Sequence, residues 1–456
     1  MHLIGEGGDR MKVSKVVNKE NLQTGPAGLA FLGEMTRMLD IDRIAKTLTS
    51  GNPQIATQDI LKTMIGLLSQ GKSDFDHVKP VMNDFFFMNS MGIDRVPSAE
   101  TYRQKFQELA LKKDLDSLLP ELSVRLWKKT GMEHEFVTKG KDKWVRLDID
   151  PVVYDNADTK KEGAAYTYNN QYGFSPLFAH LAGGWMVNAR LFSGNFSTHS
   201  RESMDFVLQS LDLADRMAPE KKLLVMDCGF DSQKQLKTLW ERKGTDYIIK
   251  HNIRREDLNS WLKTAKEQGV FVQTVENEKK GYHLYRGSTY REIPGCSSPL
   301  RLVFDVKEVF KKKGQLQLMP TVEVFNAWTT LEESFSDQEV LKLYRSRGTS
   351  EQFHSEFKSE MDMERLPSGK FKVNSTFLLM GMLTYNMLRV LAQDMVINRT
   401  LGLKKATRRR IKTVMNSVIF ISCRLVKSAR SLILQLGCSR PWYEWFASLF
   451  ARLKEA

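Results

Sequence analysis

The chain has 456 residues, 41% hydrophobic and 27% charged, the ordinary balance of a globular protein with core material for about three domains. Its formal net charge is +14, which calls for an anionic partner. The four cysteines, Cys228, Cys296, Cys423 and Cys438, show no C-x-x-C spacing, so neither a disulfide framework nor a zinc site is indicated.

Residues 1–140 read as helical. "TQDILKTMIGLLSQ" carries Ile60, Met64 and Leu68 on one face with Leu61 and Ile65 beside them, and "VPSAETYRQKFQELALKK" opens on a Pro-Ser cap signal and continues helical. "GLLSQGKS" at 66–73 satisfies G-x-x-x-x-G-K-[ST], the pattern of a phosphate-cradling loop. That loop must join a strand to a helix, whereas Gly66 lies inside an amphipathic helix. Gly71 is therefore read as the glycine that closes the helix, and no nucleotide cofactor is expected. The N-terminus lacks the apolar segment of a signal peptide. The longest apolar stretch, "FLLMGMLTYNMLRVL", is broken by Thr384, Asn386 and Arg389 and reads as too short to cross a bilayer. A cytoplasmic protein with no membrane partner is expected.

The texture changes at 144. "WVRLDID" alternates Val145, Leu147 and Ile149 with Arg146, Asp148 and Asp150, the pattern of a half-buried strand. Two more strands follow around Gly183-Gly184, a hairpin signal. Then come a helix over 200–217, a buried strand in "KLLVMDCGF", a helix over 232–243 and the strand "DYIIKHNI". This order belongs to a mixed-sheet α/β domain. From 255 to 340 the pattern is strand-like throughout and reads as a β-rich insertion, after which a helical segment returns. Residues 371–456 hold fifteen Lys and Arg against three Asp and Glu, a surplus of twelve that reads as a nucleic-acid arm.

Acidic residues stand at the end of the first core strand (Asp148, Asp150), after the fourth (Asp227) and in the returning helical segment (Glu351). Carboxylates from neighbouring strand ends and a facing helix can converge on hard divalent cations. Asp148 and Asp150 have the same parity and share a sheet face, so alternation does not separate them. Asp150 stands later in the strand and is taken as the first acid. Tyr344, Arg347, Glu351 and Lys358 are offset by three, seven and fourteen residues, which puts them at roughly 0°, 300°, 340° and 320° around a helix. A carboxylate flanked by two cations and a phenol on one stripe suits a surface that holds a metal ion and a phosphate together.

Tyr344-x2-Arg347-x3-Glu351-x6-Lys358 resembles the signature around the third acid of one branch of bacterial insertion-sequence DDE transposases. "DCGF" resembles that branch's second-acid motif, and "LDID" with the following hairpin ending "FSGN" its first-acid region. "VPSAETYRQKF" is similar to a helix start in its N-terminal domains. The separations, 77 residues from Asp150 to Asp227 and 124 from Asp227 to Glu351, agree with a β-insertion before the last acid.

The resemblance implies a ribonuclease-H-like mixed sheet with a β-rich insertion, preceded by an all-α domain. The expected division is a helical DNA-binding region (1–140), a catalytic core in two parts (141–254 and 341–400), the insertion (255–340) and a basic C-terminal region (401–456). It implies cut-and-paste transposition, with Asp150, Asp227 and Glu351 holding two Mg²⁺ ions that Mn²⁺ can replace. Tyr344, Arg347 and Lys358 are expected on DNA phosphates; Trp328 is the candidate for stacking on a flipped base, although it does not align cleanly and core packing is the preferred reading of it. Arg408, Arg409 and Arg410 are expected on the DNA backbone. The partners would be double-stranded DNA, as element ends and target, and a second copy of the chain in the DNA complex. A metal-dependent nuclease of the same fold, or a non-catalytic DNA-binding derivative of a transposase, are the other readings.

Overall fold

The strand expected over 144–150 forms as Asp142–Pro151 (β2), with Phe136–Lys139 (β1) folded back on its first half. The computed structural model describes residues 23–49, 54–254, 256–398, 401–429 and 431–456; the first part of the expected N-terminal region, 1–22, lies outside the described residues. The hairpin at Gly183-Gly184 joins Leu177–Leu181 (β3) to Met186–Arg190 (β4). Both glycines have φ above +90°, a conformation that side chains with a Cβ disfavour. Lys221–Met226 (β5) and Thr245–Lys250 (β6) follow. Four more strands come next: Val270–Glu276 (β7), Lys280–Arg291 (β8), Leu300–Lys312 (β9) and Gln315–Thr329 (β10).

All ten strands belong to one sheet, ordered β7-β8-β9-β10-β6-β5-β2-β3-β4, with β1 also on β2. The β2–β5 and β5–β6 pairs are parallel and the rest antiparallel. The strands of the 255–340 stretch therefore extend the core sheet, through the β10–β6 pair. That stretch is not strand alone. Asp257 caps a helix, Leu258–Gln268, by accepting from the backbone N–H groups of Asn259 and Ser260.

The central strand is not half-buried, as alternation predicts, but buried on both faces from Trp144 to Ile149. Val145, Leu147 and Ile149 join the main core with Phe206 and Leu211 of the helix Arg201–Met217. Trp144, on the other face, joins a second cluster with Val225, Val340, Leu341 and Tyr344. That second face carries Arg146, Asp148 and Asp150, and the segment 337–360 packs over it.

The described N-terminal region is helical over Leu29–Met38, Ile41–Leu48, Thr57–Leu68, Phe85–Met91, Ala99–Lys112 and Leu115–Thr130, apart from the strand Thr24–Pro26 and the turn Phe75–Val81. Thr24–Pro26 pairs with the C-terminal strand Ser422–Ser428, and Phe31 packs on Trp445 and Phe446 of the helix Arg440–Glu455. The first described strand and helix therefore share one layer with the C-terminal strand and helix. Gly66 is buried inside its helix and Gly71 has φ +70°, so the helix reading of 66–73 holds.

The apolar stretch at 377–391 is part of a longer helix, Phe371–Ile397, which by length and composition is able to cross a membrane, contrary to the sequence reading. Its most apolar window is wholly buried within the protein, where a central core helix belongs. The polar residues that interrupt it have structural duties. Asn386 accepts from the Met186 N–H (3.0 Å) and donates to the Met186 carbonyl (2.8 Å), which satisfies the edge strand β4. Arg389 donates to the carbonyls of Gly183 and Arg409.

Candidate active site

The register of β2 on β5 builds the centre. Their parallel pairs run from Trp144↔Lys221 to Ile149↔Met226, a constant offset of 77, and one more step sets Asp150 beside Asp227. Parity puts both on the face that carries Val225 and Asp148. The neighbour of Asp148 is the apolar Val225, while that of Asp150 is an acid. Asp227 ends its strand in extended backbone and accepts from the Gly229 N–H (2.9 Å). A Cβ at Gly229 would stand 3.0 Å from that carboxylate, so the glycine in "DCGF" keeps the acid close to the turn.

Arg347 reaches across from the facing segment and pairs with Asp150 (Nη1–Oδ1 2.8 Å). Burial pushes the Asp150 carboxyl up to about 7, Arg347 opposing and Asp227 and Asp148 adding to the rise. Asp148 is raised to about 6 by burial against the pull of Arg146 (2.9 Å), and its Oδ1 has no hydrogen-bond partner among the described residues. The folded chain thus keeps both protons to higher pH than the unfolded chain, whose carboxyls titrate near ~3.9. In EDTA, stability to urea should fall as pH rises from about 4 through about 7. Asp150→Asn should flatten that dependence, and melts at pH 5 and pH 8 measure it.

Tyr344, Arg347, Glu351 and Lys358 do not share one uninterrupted helix. Tyr344 lies in the last turn of the helix Asp337–Arg345, Arg347 caps Gly348–Ser355, and Lys358 sits in the wide turn Glu356–Glu360 that follows. The two short helices run close to end-on because Ser346 and Arg347 keep helical dihedrals. Tyr344 is buried, its phenol pushed up to about 12 by burial, and Arg347 lies over its ring. Lys358 donates to the Val153 carbonyl (3.1 Å), just past the end of β2, and pairs with Glu364 (2.7 Å). Phe353 holds the segment down by packing against Gly184, where a Cβ would come within 2.9 Å of its ring.

Asp150, Asp227, Arg347 and Tyr344 are therefore brought together. Glu351 is exposed one turn beyond Arg347, on the same side of the helix, and among the described residues no group of three or more His, Cys, Asp or Glu is assembled in metal-binding geometry. Asp150 and Asp227 still suit a divalent cation, since both offer hard oxygen donors on one face.

Trp328 lies on β10, 4% exposed, and donates its indole N–H to Asp231 (2.9 Å), so no face is open for a base. Arg408 and Arg410 pair with the buried Glu356 and with Glu360 (2.6 Å for Arg410), and Arg409 lends its carbonyl to Arg389. Lys404 and Lys405 remain exposed in the same loop.

Three features escaped the sequence reading. Arg146 links Asp148 to Ser346 and Thr349, tying the central strand to the facing segment; its parity with the two aspartates was the available signal. Asp231 accepts from Trp328, from His251 (2.8 Å) and from the Asn252 N–H, and His251 reaches on to Glu256 (2.8 Å), a network that braces the turn after Asp227. Tyr168, exposed on the loop between the first two core strands, has its phenol raised by burial and by the charges of Asp150 and Asp227.

The family model of the transposase DDE domain, group 1, matches residues 17–456. A search of curated protein sequences finds no match. Among solved structures, the cryo-EM piggyBac transposase synaptic complex with hairpin DNA is similar over 95% of this chain and 84% of that one, at 12% identity and a TM-score of 0.39; so distant a likeness supports no argument about this molecule. The match over nearly the whole sequence is decisive: the chain belongs to the DDE transposase family, group 1.

Proposed function

We propose that the chain is a cut-and-paste transposase of a bacterial insertion sequence, with Asp150, Asp227 and Glu351 as its three acids. The observation that carries this reading is the β2–β5 register, which sets Asp150 beside Asp227 under the helix that bears Glu351. An antiparallel pair of strands on one side of β2 and two parallel strands on the other support a ribonuclease-H-like core, with the helices of 29–130 as a DNA-binding region.

Two divalent cations, Mg²⁺ or Mn²⁺, would be held by these carboxylates and supply the charge that activates a hydroxyl and stabilises the leaving oxygen. Asp150 and Asp227 are placed by their strands. Asp150 would serve the cation rather than Arg347, which would then be free to turn to the DNA phosphate and, with Lys358, position the backbone without reading sequence. Water attack nicks the element end, and the freed 3′-hydroxyl then attacks target DNA. Two copies of the chain act on the paired ends, in the cytoplasm.

Arg347→Ala and Lys358→Ala should lower cleavage by about 2–4 kcal/mol, the usual loss for a preorganised charge stabiliser, while metal binding persists. Lys358→Arg should recover part of the rate, because lysine acts largely as a point charge. Single-turnover cleavage rates decide, and near wild-type rates in the alanine variants would make these residues surface pairs. In the C-terminal loop, Lys404 and Lys405 are exposed, so their double alanine variant should reduce the slope of log K against log salt by about 1.8, or 0.9 per lost phosphate contact.

The reading is tested with a supercoiled plasmid that carries the DNA flanking the gene. Mg²⁺-dependent nicks at the flanking repeats followed by joining of 3′ ends to target DNA are expected. Nicking without joining would favour a nuclease, and binding without nicking a non-catalytic derivative.

A further inference from the structure

The strands that follow residue 255 carry the sheet past its acids. Ile249 of β6 pairs with Met226 of β5 and with Trp328 of β10, so one step further along sets Asp227 level with Ala327. Because β10 runs antiparallel to β6, its residues before Ala327 project beyond the acid-bearing end of the core, with β9 and β8 alongside.

Two hairpin turns end this projection side by side. Lys280 of β8 stands opposite Lys312 of β9, and the Gly314 N–H donates to the Lys279 carbonyl (2.9 Å). Lys313 and Gly314, at φ +52° and +84°, form the two-residue turn between β9 and β10. Just inside that turn the ladder breaks. Lys311 pairs with Leu316 and Val309 with Thr321, so Phe310 alone faces Gln317, Leu318, Met319 and Pro320. Pro320 has no N–H to give the ladder, and the extra residues bulge outward: Leu318 is 101% exposed and Met319 79%. Roughly 20–25 Å of strand, at about 3.3 Å per residue, separates Phe310 from Val303, the partner of Ala327. That is about six or seven base pairs of duplex at about 3.4 Å each.

Large apolar side chains held out in water at a hairpin tip call for a partner that covers them. The surrounding charge says which. Lys279, Lys280, Lys312 and Lys313 are exposed at the two turns; Lys311 pairs with Glu276 (3.5 Å) and Lys312 loosely with Glu323 (3.8 Å), and Glu278 is the remaining acid of the turns. A narrow apolar tip flanked by lysines matches the way proteins wedge Leu, Met or Pro between base steps while cations hold the backbone. A protein partner would call instead for a broad apolar core depleted of charge.

We propose that this tip enters the minor groove of duplex DNA, wedges Leu318 and Met319 between two base pairs, and sets the turn lysines on the flanking phosphates. The duplex kinks at that step, some six or seven base pairs from the phosphate held at the acids. The inference rests on the transposase reading, which makes DNA the partner and brings it to the acids.

The test uses duplexes made from the DNA flanking the gene, each with 2-aminopurine at one step, titrated with the full chain in EDTA. Unstacking should brighten one step at least about twofold. Leu318→Ser/Met319→Ser should abolish the brightening and weaken duplex binding at least about threefold. Its melting temperature should be unchanged, because both side chains are exposed. Binding without any brightened step, brightening that survives the double variant, or a dimer of the chain that the variant dissolves would each overturn the proposal. A chain that nicks its ends but brightens no step loses the wedge alone. One that brightens a step, lost in the variant, yet never nicks keeps the wedge and loses the transposase reading.

Discussion

Asp227→Ala is expected to reduce DNA cleavage more than about a hundredfold, since a lost metal ligand removes several kcal/mol of transition-state stabilisation, while DNA binding in EDTA stays near wild type. Asp227 makes one local hydrogen bond, to Gly229, so the fold does not depend on its charge. Asp150→Asn should be equally inactive. It should also raise stability at pH 8 in EDTA, because it deletes a carboxylate whose burial opposes ionisation. Asp148→Asn should be only impaired, because Asp148 abuts Val225 and Arg146 rather than the second acid. Gel-resolved cleavage and filter binding separate these outcomes. Full cleavage by Asp227→Ala, or an inactive Asp148→Asn beside an active Asp150→Asn, would reassign the acids.

The second large effect concerns stability. Glu356 is completely buried and takes both nitrogens of the Arg408 fork, with Arg410 at 3.9 Å and the Ile411 N–H at 3.3 Å. Glu356→Ala leaves Arg408 buried without its carboxylate and should cost about 3–5 kcal/mol in urea unfolding. Arg408→Ala should cost a similar amount, and the double variant less than the sum of the two, because neither charge is then stranded. Additive losses would mean that the pair is not coupled. Since Lys358 stands two residues after Glu356 in the same turn, Glu356→Ala should lower cleavage as well, and Glu356→Gln should retain more of both properties.

Alternation and glycine pairs made the core strands and the β3–β4 hairpin readable, because those signals are local. The helix Leu258–Gln268 had its signal too, with Leu258, Trp261, Leu262 and Ala265 at helical spacing after Asp257, but the strand-like stretches around it absorbed it into one pattern. Burial of Arg146, Asp148 and Asp150 was not readable. It depends on a segment about two hundred residues downstream that covers their face, and a period of two only reports that they share it. Net charge likewise counted Arg408 and Arg410 as free cations, while Glu356, buried, and Glu360, half-buried, pair with them from a distant turn. Trp328 packs in the core, the reading its context favoured over base stacking, but its partner Asp231 could not be named because only the sheet brings the two together. The 77-residue spacing of Asp150 and Asp227 carried more than it showed, since it is the register of their two strands.

The claim that Asp150, Asp227 and Glu351 hold one metal centre is tested most directly by loading the protein, bound to DNA, with Fe²⁺ in place of Mg²⁺ and generating hydroxyl radicals at the metal. Backbone cuts should map close to residues 150, 227 and 351 together, and excess Mg²⁺ should suppress all three. Cuts that spare the Glu351 helix, or that Mg²⁺ does not suppress, would contradict the three-acid centre.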